Sequence, residues 1–210
     1  MSKKILSKWI LPQTRVDKQY KNYLGWSFAS NFLISAESVL CTHSMFSTLG
    51  CHPAWAFSYN FIGKDVFGQL GGLMYINKFG KEFDKNPRQF VVHANVFQQG
   101  SIFLECMTPL ISSTIFLPIA VVASIGKNIS WINFASVNTK CISKLAIKDN
   151  IAEIYSRISV FNTFASSAGM VAGLAIAYCI PSHLIRLCTI MPVLCILRIY
   201  CYNRAIENLL

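Results

Sequence analysis

Lys64 and Asp65 stand side by side in a glycine-rich apolar run, NFIGKDVFGQLGGLMY, from Asn60 to Tyr75. If that run lies in lipid, each charge costs about 2.5–3.5 kcal/mol to insert, so such groups are the first candidates for ligand or proton handling. Successive helical residues point about 100° apart, so the two need not pair with each other. Asn60, Lys64, Gly68, Gly71 and Tyr75 fall on one helical stripe, with Ser58, Asp65 and Gly72 beside it. Elsewhere Glu37 shares a stripe with Ser30, Cys41 and Ser44, while Asn95, Gln98, Gln99 and Glu105 mark another predicted helix. Glu37, Asn60, Lys64, Asp65, Asn95 and Glu105 therefore make the candidate ligand-binding set, facing a protein-lined interior. The surrounding serine, asparagine and glutamine stripes read as helix-joining hydrogen bonds, about 0.6 kcal/mol each, because lipid offers such groups no partner.

Other chemistries find no foothold. Cys41, His43, Cys51 and His52 are zinc-ligand types, but their spacing matches no standard site, and ten helical residues separate two of them by about 15 Å. No metal is assigned. GKDVFG lacks the GK[ST] ending of a phosphate loop, and Ser124-Ile-Gly-Lys127 lacks the companion motifs of an SxxK enzyme. The chain reads as a non-enzyme without a cofactor. Its eight cysteines include no CxxC and lie mostly in apolar runs, where reduced thiols act as small hydrophobes.

Helices must position these residues, and composition says where they sit. The 210 residues are 53% hydrophobic and only 13% charged, with a mean hydropathy of +0.44. Apolar stretches of about 20 residues, the length of a membrane span, recur between short breaks. Six helices are expected, near 22–48, 54–79, 88–108, 112–124, 150–180 and 183–206. A weak point at Gly126-Lys127-Asn128 separates the fourth from a polar helical extension to Lys148. The fold class is all-α, an integral membrane bundle of about six transmembrane helices. Residues 1–21 form a basic cytoplasmic tail, and 22–207 the membrane domain.

Charge supports that layout. Segments 1–21, 78–88, 127–157 and 198–210 hold six, four, five and two Lys/Arg, which is 17 of the 19; the turns 49–54, 109–114 and 180–185 hold none. Cations gather on the cytoplasmic side, so both termini are expected there. The net charge of +10 is spread over these loops with no compact basic face, which argues against nucleic acid. The lipid bilayer is the first partner. GxxxG spacings at Gly68–Gly72 and Gly169–Gly173 suit close helix packing and association with a second subunit.

Several segments, in order, resemble the ROOT UVB SENSITIVE (RUS) family, also described as a vitamin B6 photoprotection and homeostasis domain. They are YLGW at 23–26, TLG at 48–50, IGKDVFGQLGG at 62–72, EFDKNPRQF at 82–90, HANVFQQGSIFLECMTP at 93–109 and NIAEIYSR at 150–157, followed by Gly169 and Gly173. The resemblance covers about residues 20–178. Asn95, Arg157 and Val66 stand where the family pattern has aspartate, lysine and glycine. The resemblance makes Lys64, Asp65, Gly68, Gly72, Asn150, Glu153 and Arg157 motif positions, without carrying over any catalytic role. It implies a membrane protein of vitamin B6 homeostasis and UV-B response that works with a related family member. The expected action is binding or transport of a small polar metabolite. The alternative is a non-catalytic scaffold that holds a partner protein through basic cytoplasmic loops.

Overall fold

Proline and glycine set the joints between helices. The computed structural model describes residues 16–49, 54–111, 115–147 and 150–210. Six long helices result: α1 Tyr20–Leu49, α2 Ala54–Phe79, α3 Pro87–Cys106, α4 Phe116–Leu145, α5 Ile151–Cys179 and α6 His183–Ile206. Pro87 opens α3, where its missing N–H costs nothing, and Pro109 follows its end. Pro181 precedes α6. Within α6, the turn Arg186–Ile190 widens to a π-helix just before Pro192, which cannot donate to the helical ladder. Among the described residues no strand forms; the one isolated β-bridge joins Val16 to Ala146. The architecture is all-α. Most of the basic tail and the turn carrying Cys51 and His52 lie outside the described residues.

Two groups of three helices make up the bundle. α1 packs on α5 and α6, α4 packs on α2 and α3, and α1 meets α3 where the groups join. Paired contacts fix the directions. Gly169 and Gly173 of α5 meet Phe32 and Ala36 of α1 in parallel register, and Gly68 and Gly72 of α2 meet Ser124 and Asn128 of α4 likewise. Gly126 of α4 faces Ser101 of α3, while Ser130 Oγ donates to the Ala94 carbonyl at 2.7 Å, an antiparallel register. Odd-numbered helices thus run one way and even-numbered helices the other.

One consequence is that the start of α1, the 80–86 turn, the end of α4, the start of α5 and the end of α6 share one end of the bundle. Tyr20, Phe90, Leu145, Ile154 and Leu209 form one apolar cluster there. The Asp17 amide donates to the Leu145 carbonyl at 3.4 Å, and Lys140 reaches Asp84 at 3.8 Å. Lys18, Lys21, Lys78, Lys81, Lys85, Arg88, Lys140, Lys144, Arg157 and Arg204 gather at this end. Arg186 is the one cation among the described residues at the other, where its Nη1 lies 3.3 Å from His43 Nδ1.

The fourth helix corrects the sequence reading. α4 runs unbroken through Gly126-Lys127-Asn128. Gly126 is a packing position: a Cβ there would sit 2.2 Å from Ser101 Oγ. Lys127 and Arg198, counted by sequence among the loop cations, lie inside the bundle instead.

Two helices, α5 and α6, are long and apolar enough to cross a membrane by length and composition, with hydropathies of 1.5 and 1.9. α1 and α4 are 30 residues long, about 45 Å at 1.5 Å per residue, but their interior polar stripes lower their hydropathy. The outward faces of α2 and α3 nonetheless carry many large apolar side chains, including Leu73, Met74 and Val96, while α4 exposes Val122 and Trp131 and α1 exposes Phe46.

The glycine contacts yield a clean comparison. A Cβ at Gly169 would fall 2.1 Å from the Phe32 carbonyl oxygen, whereas Gly25 has open space around it. Gly169→Ala should lower stability by about 1–3 kcal/mol through overpacking. Gly25→Ala should leave it unchanged or raise it by up to about 1 kcal/mol. Thermal unfolding of the purified variants reads both.

Candidate functional site

Where the two groups meet, polar side chains from four helices converge. Glu37 of α1 is fully buried; its Oε2 accepts from Gln99 Nε2 of α3 at 3.3 Å, and its Oε1 has no hydrogen-bond partner. Glu105, near the end of α3, is 2% exposed and paired through Oε2 with Lys127 Nζ of α4. Arg198 of α6 is 1% exposed. Its Nη1 donates to Asn95 Oδ1 of α3 at 3.5 Å, and its guanidinium lies 4.7 Å from the centroid of the Phe134 ring. Arg198 and Lys127 are also the cations whose fields reach Glu37.

Three buried charges and the half-buried Lys127, two of each sign, thus meet where an unpaired ion would cost several kcal/mol. Two atoms of the network, and one of Asn133 in the neighbouring α2–α4 interface, have no bonding partner. Glu37 Oε1, Arg198 Nε and Asn133 Nδ2 are buried without partners. Asn133 spends its Oδ1 on the Tyr75 hydroxyl, at 3.1 Å. One acceptor and two donors are therefore uncommitted, and each costs about 1–3 kcal/mol unless a ligand or water meets it. Apolar clusters lie to either side of Glu37, Asn95 and Arg198: Tyr23, Phe90, Val137 and Ile206 toward the basic end, Leu40, Ile102, Leu187 and Met191 toward the other, level with Glu105. Within the second cluster, Cys41 and Cys106 bring their sulfurs within 3.2 Å.

The predicted site residues divide into two places. Glu37, Asn95 and Glu105 belong to the seam. Asn60, Lys64 and Asp65 stay together on α2, outside it. Lys64 Nζ bonds Asp65 Oδ1 at 2.7 Å and lies 4.9 Å from the Phe61 ring centroid. The flexible lysine stem curls back to its neighbour, so the pair closes locally despite the helical divergence. Lys64 is buried while the Asp65 side chain is 57% exposed on the outer face. Asn60 is half-buried one turn earlier.

The family-motif positions are mostly packing and turn elements. Gly68 and Gly72 admit Ser124, Asn128 and Ile132 of α4. Asn150 accepts the Ile147 amide in its side chain at 2.9 Å and braces the turn into α5. Glu153 and Arg157 lie half-buried in the first turns of α5.

Sequence reasoning missed Lys127 and Arg198. A signal existed for both. Ser124, Lys127, Ser130 and Asn133 recur every third residue, and Leu194, Arg198 and Tyr202 every fourth, the spacings that share a helical face.

A family model described as "Vitamin B6 photo-protection and homoeostasis domain" matches residues 2–209. Similar curated proteins include "Protein root UVB sensitive 4" of Arabidopsis thaliana, 28% identical over 166 residues, covering 77% of this chain and 32% of that protein. "Protein root UVB sensitive 2, chloroplastic" of the same plant is 25% identical over 187 residues, 88% of this chain and 43% of the relative. "RUS family member 1" of Dictyostelium discoideum is 20% identical over 212 residues, 97% of this chain and 40% of the relative. The chain spans about a third to two fifths of these relatives. No solved structure matches it.

The Glu105–Lys127 pair can be tested as a unit. Lys127→Met leaves a buried carboxylate without its cation and should cost about 3–5 kcal/mol, while adding Glu105→Leu should restore most of that loss. Chemical denaturation of the two variants and the parent measures the coupling; additive losses would show that the pair does not act as a unit.

Proposed function

The chain belongs to the root UVB sensitive family, defined by the vitamin B6 photo-protection and homoeostasis domain, and on that premise we propose that it is a multi-pass membrane protein binding or moving a small polar metabolite of the vitamin B6 class. Its role belongs with vitamin B6 homeostasis and UV-B response. The six helices cross the bilayer in alternating directions, with the basic end and both termini on the cytoplasmic side. Three features support the crossing: the apolar outward faces, the two helices that qualify as spans on composition alone, and the gathering of cations at one end.

The observation that carries the binding reading is the buried charge layer with its uncommitted atoms. Glu37 Oε1 would accept a hydroxyl or ring N–H, while Arg198 Nε and Asn133 Nδ2 would donate to an anionic or carbonyl oxygen. A pyridine ring carrying hydroxyl and oxo or phosphate groups has that complement. Apolar clusters lie to either side of Glu37, Asn95 and Arg198, an occluded state, so loading requires the two helix groups to part along the seam. The seam, rather than the Lys64–Asp65 pair, does the binding.

Proteoliposomes loaded with protein provide the test, using pyridoxine and pyridoxal phosphate as the transported probes. Glu37→Gln and Arg198→Gln should each cut uptake roughly tenfold or more, as loss of a charged hydrogen bond does. Asp65→Asn should change it little. Thermal stability of each variant separates loss of site from loss of fold. Equal uptake by all four folded proteins would remove the binding site from the seam.

A further inference from the structure

At the basic end, where α3 begins and α6 finishes, the two helix groups leave a groove open to the outside. A cavity of about 700 Å³ is lined by Arg88, Val91 and Val92 of α3 and by Tyr200, Asn203, Arg204 and Glu207 at the end of α6. A second cavity, about 670 Å³, adjoins it through Arg88 and adds Lys85, Asn86 and Gln89. Three cations thus rim the groove against one acid. The acid is partly spent: Glu207 Oε2 accepts from Arg204 Nη1 at 2.7 Å, while Arg204 Nε donates to the Tyr200 hydroxyl at 3.3 Å. These two bonds hold the Arg204 guanidinium in place and leave Nη2 uncommitted. The Arg88 side chain has no ion-pair partner among the described residues.

Leading away from this rim is an apolar track. Val92 and Val96 on α3 are 59% and 64% exposed, and Ile196 and Tyr200 on the antiparallel α6 are 67% and 50% exposed. One turn separates the members of each pair, so Val96 and Ile196 continue, toward mid-bundle, the helical faces on which Val92 and Tyr200 line the groove. A soluble anion would need the cations but not the track, and a second copy of this chain would bring its own cations to a basic rim. A molecule with a negative head and long apolar tails matches both halves.

We propose that this groove binds one anionic phospholipid, its phosphate among Arg88, Arg204 and Lys85 and its acyl chains along Val92, Val96, Ile196 and Tyr200. The assignment rests on the membrane reading above, under which the basic end lies at headgroup depth. Interhelical basic pockets on that side suit anionic lipids, and a tyrosine belongs at the interface. The lipid seals the outer side of the joint between the two helix groups, so its occupancy adjusts how readily they part.

The experiment uses the full chain extracted from membranes into detergent and stripped of lipid. Native mass spectrometry follows titration with phosphatidylglycerol, phosphatidylcholine or inorganic phosphate. The wild type should retain phosphatidylglycerol roughly fivefold or more over phosphatidylcholine, a preference set by headgroup charge. Arg88→Gln with Arg204→Gln should abolish the preference. Val92→Trp should lower retention by crowding the tails, and Lys144→Gln, at the same end on α4, should change neither. Equal retention of the two lipids by the wild type, an unchanged double variant, or displacement of phosphatidylglycerol by inorganic phosphate would each overturn the assignment. So would a dimer whose contact is lost in the double variant without any change in lipid retention. Alkaline carbonate extraction separates the two levels: protein stripped from membranes defeats the membrane reading and the groove with it, while protein that stays but shows no headgroup preference defeats the groove alone.

Discussion

Buried charge must be balanced where neither water nor lipid reaches it, and that requirement organises the bundle. Glu105 is matched by Lys127, and Glu37 lies in the field of Arg198, with Asn95 and Gln99 taking up part of the remaining bonding. The four charges come from α1, α3, α4 and α6, so a rotation or slide of any of these helices would strand an ion. Apolar packing alone tolerates small shifts; a charge network of this kind does not. The bonds that cross between the two helix groups are those of Glu37 with Gln99 and of Arg198 with Asn95, and these charge–amide contacts set the register of the joint.

Within the groups, close glycine packing does most of the holding, alongside the Glu105–Lys127 pair. Gly169 and Gly173 bring α5 against the backbone of α1, Gly68 and Gly72 bring α2 against α4, and Gly126 admits Ser101 of α3. Close backbone approach of this kind raises dispersion contact without any hydrophobic drive, which lipid would not supply. Each group is tightly bound internally, and the polar joint lies between them. That division gives a natural line along which the molecule can move. Polar bonds exchanged at the seam need not disturb the glycine contacts inside either group.

The amino-acid pattern made the helices legible because proline, glycine and apolar runs punctuate them strongly. The sorting of cations made the common end legible too: the 80–86 turn, the end of α4, the start of α5 and both ends of the helical chain meet there. Glu37, Asn95 and Glu105 could be placed in the interior because polar stripes have nowhere else to go. Their partners could not. Lys127 follows a glycine, and Gly-Lys-Asn reads locally as a break; only the Ser101 contact shows the glycine to be a packing residue. Arg198 stands near the end of an apolar helix, where a cation ordinarily reaches the headgroups. Lys64 and Asp65 were conspicuous for the opposite reason. Their adjacency signals function in a linear reading, yet a flexible lysine stem lets them pair with each other on the rim of α2.

Taken together, a buried charge network lies inside, many large apolar side chains face outward, and basic side chains collect at one end. Those three features support the proposed reading, in which lipid surrounds the helices and the two ends lie in different compartments. Single cysteines introduced as Lys81→Cys at the basic end and Ser182→Cys at the opposite end, in a background stripped of other thiols, measure this directly in sealed, oriented vesicles. A membrane-impermeant maleimide added outside should label one of the two, and the other only after the vesicles are opened. Equal labelling of both from the outside would contradict the account.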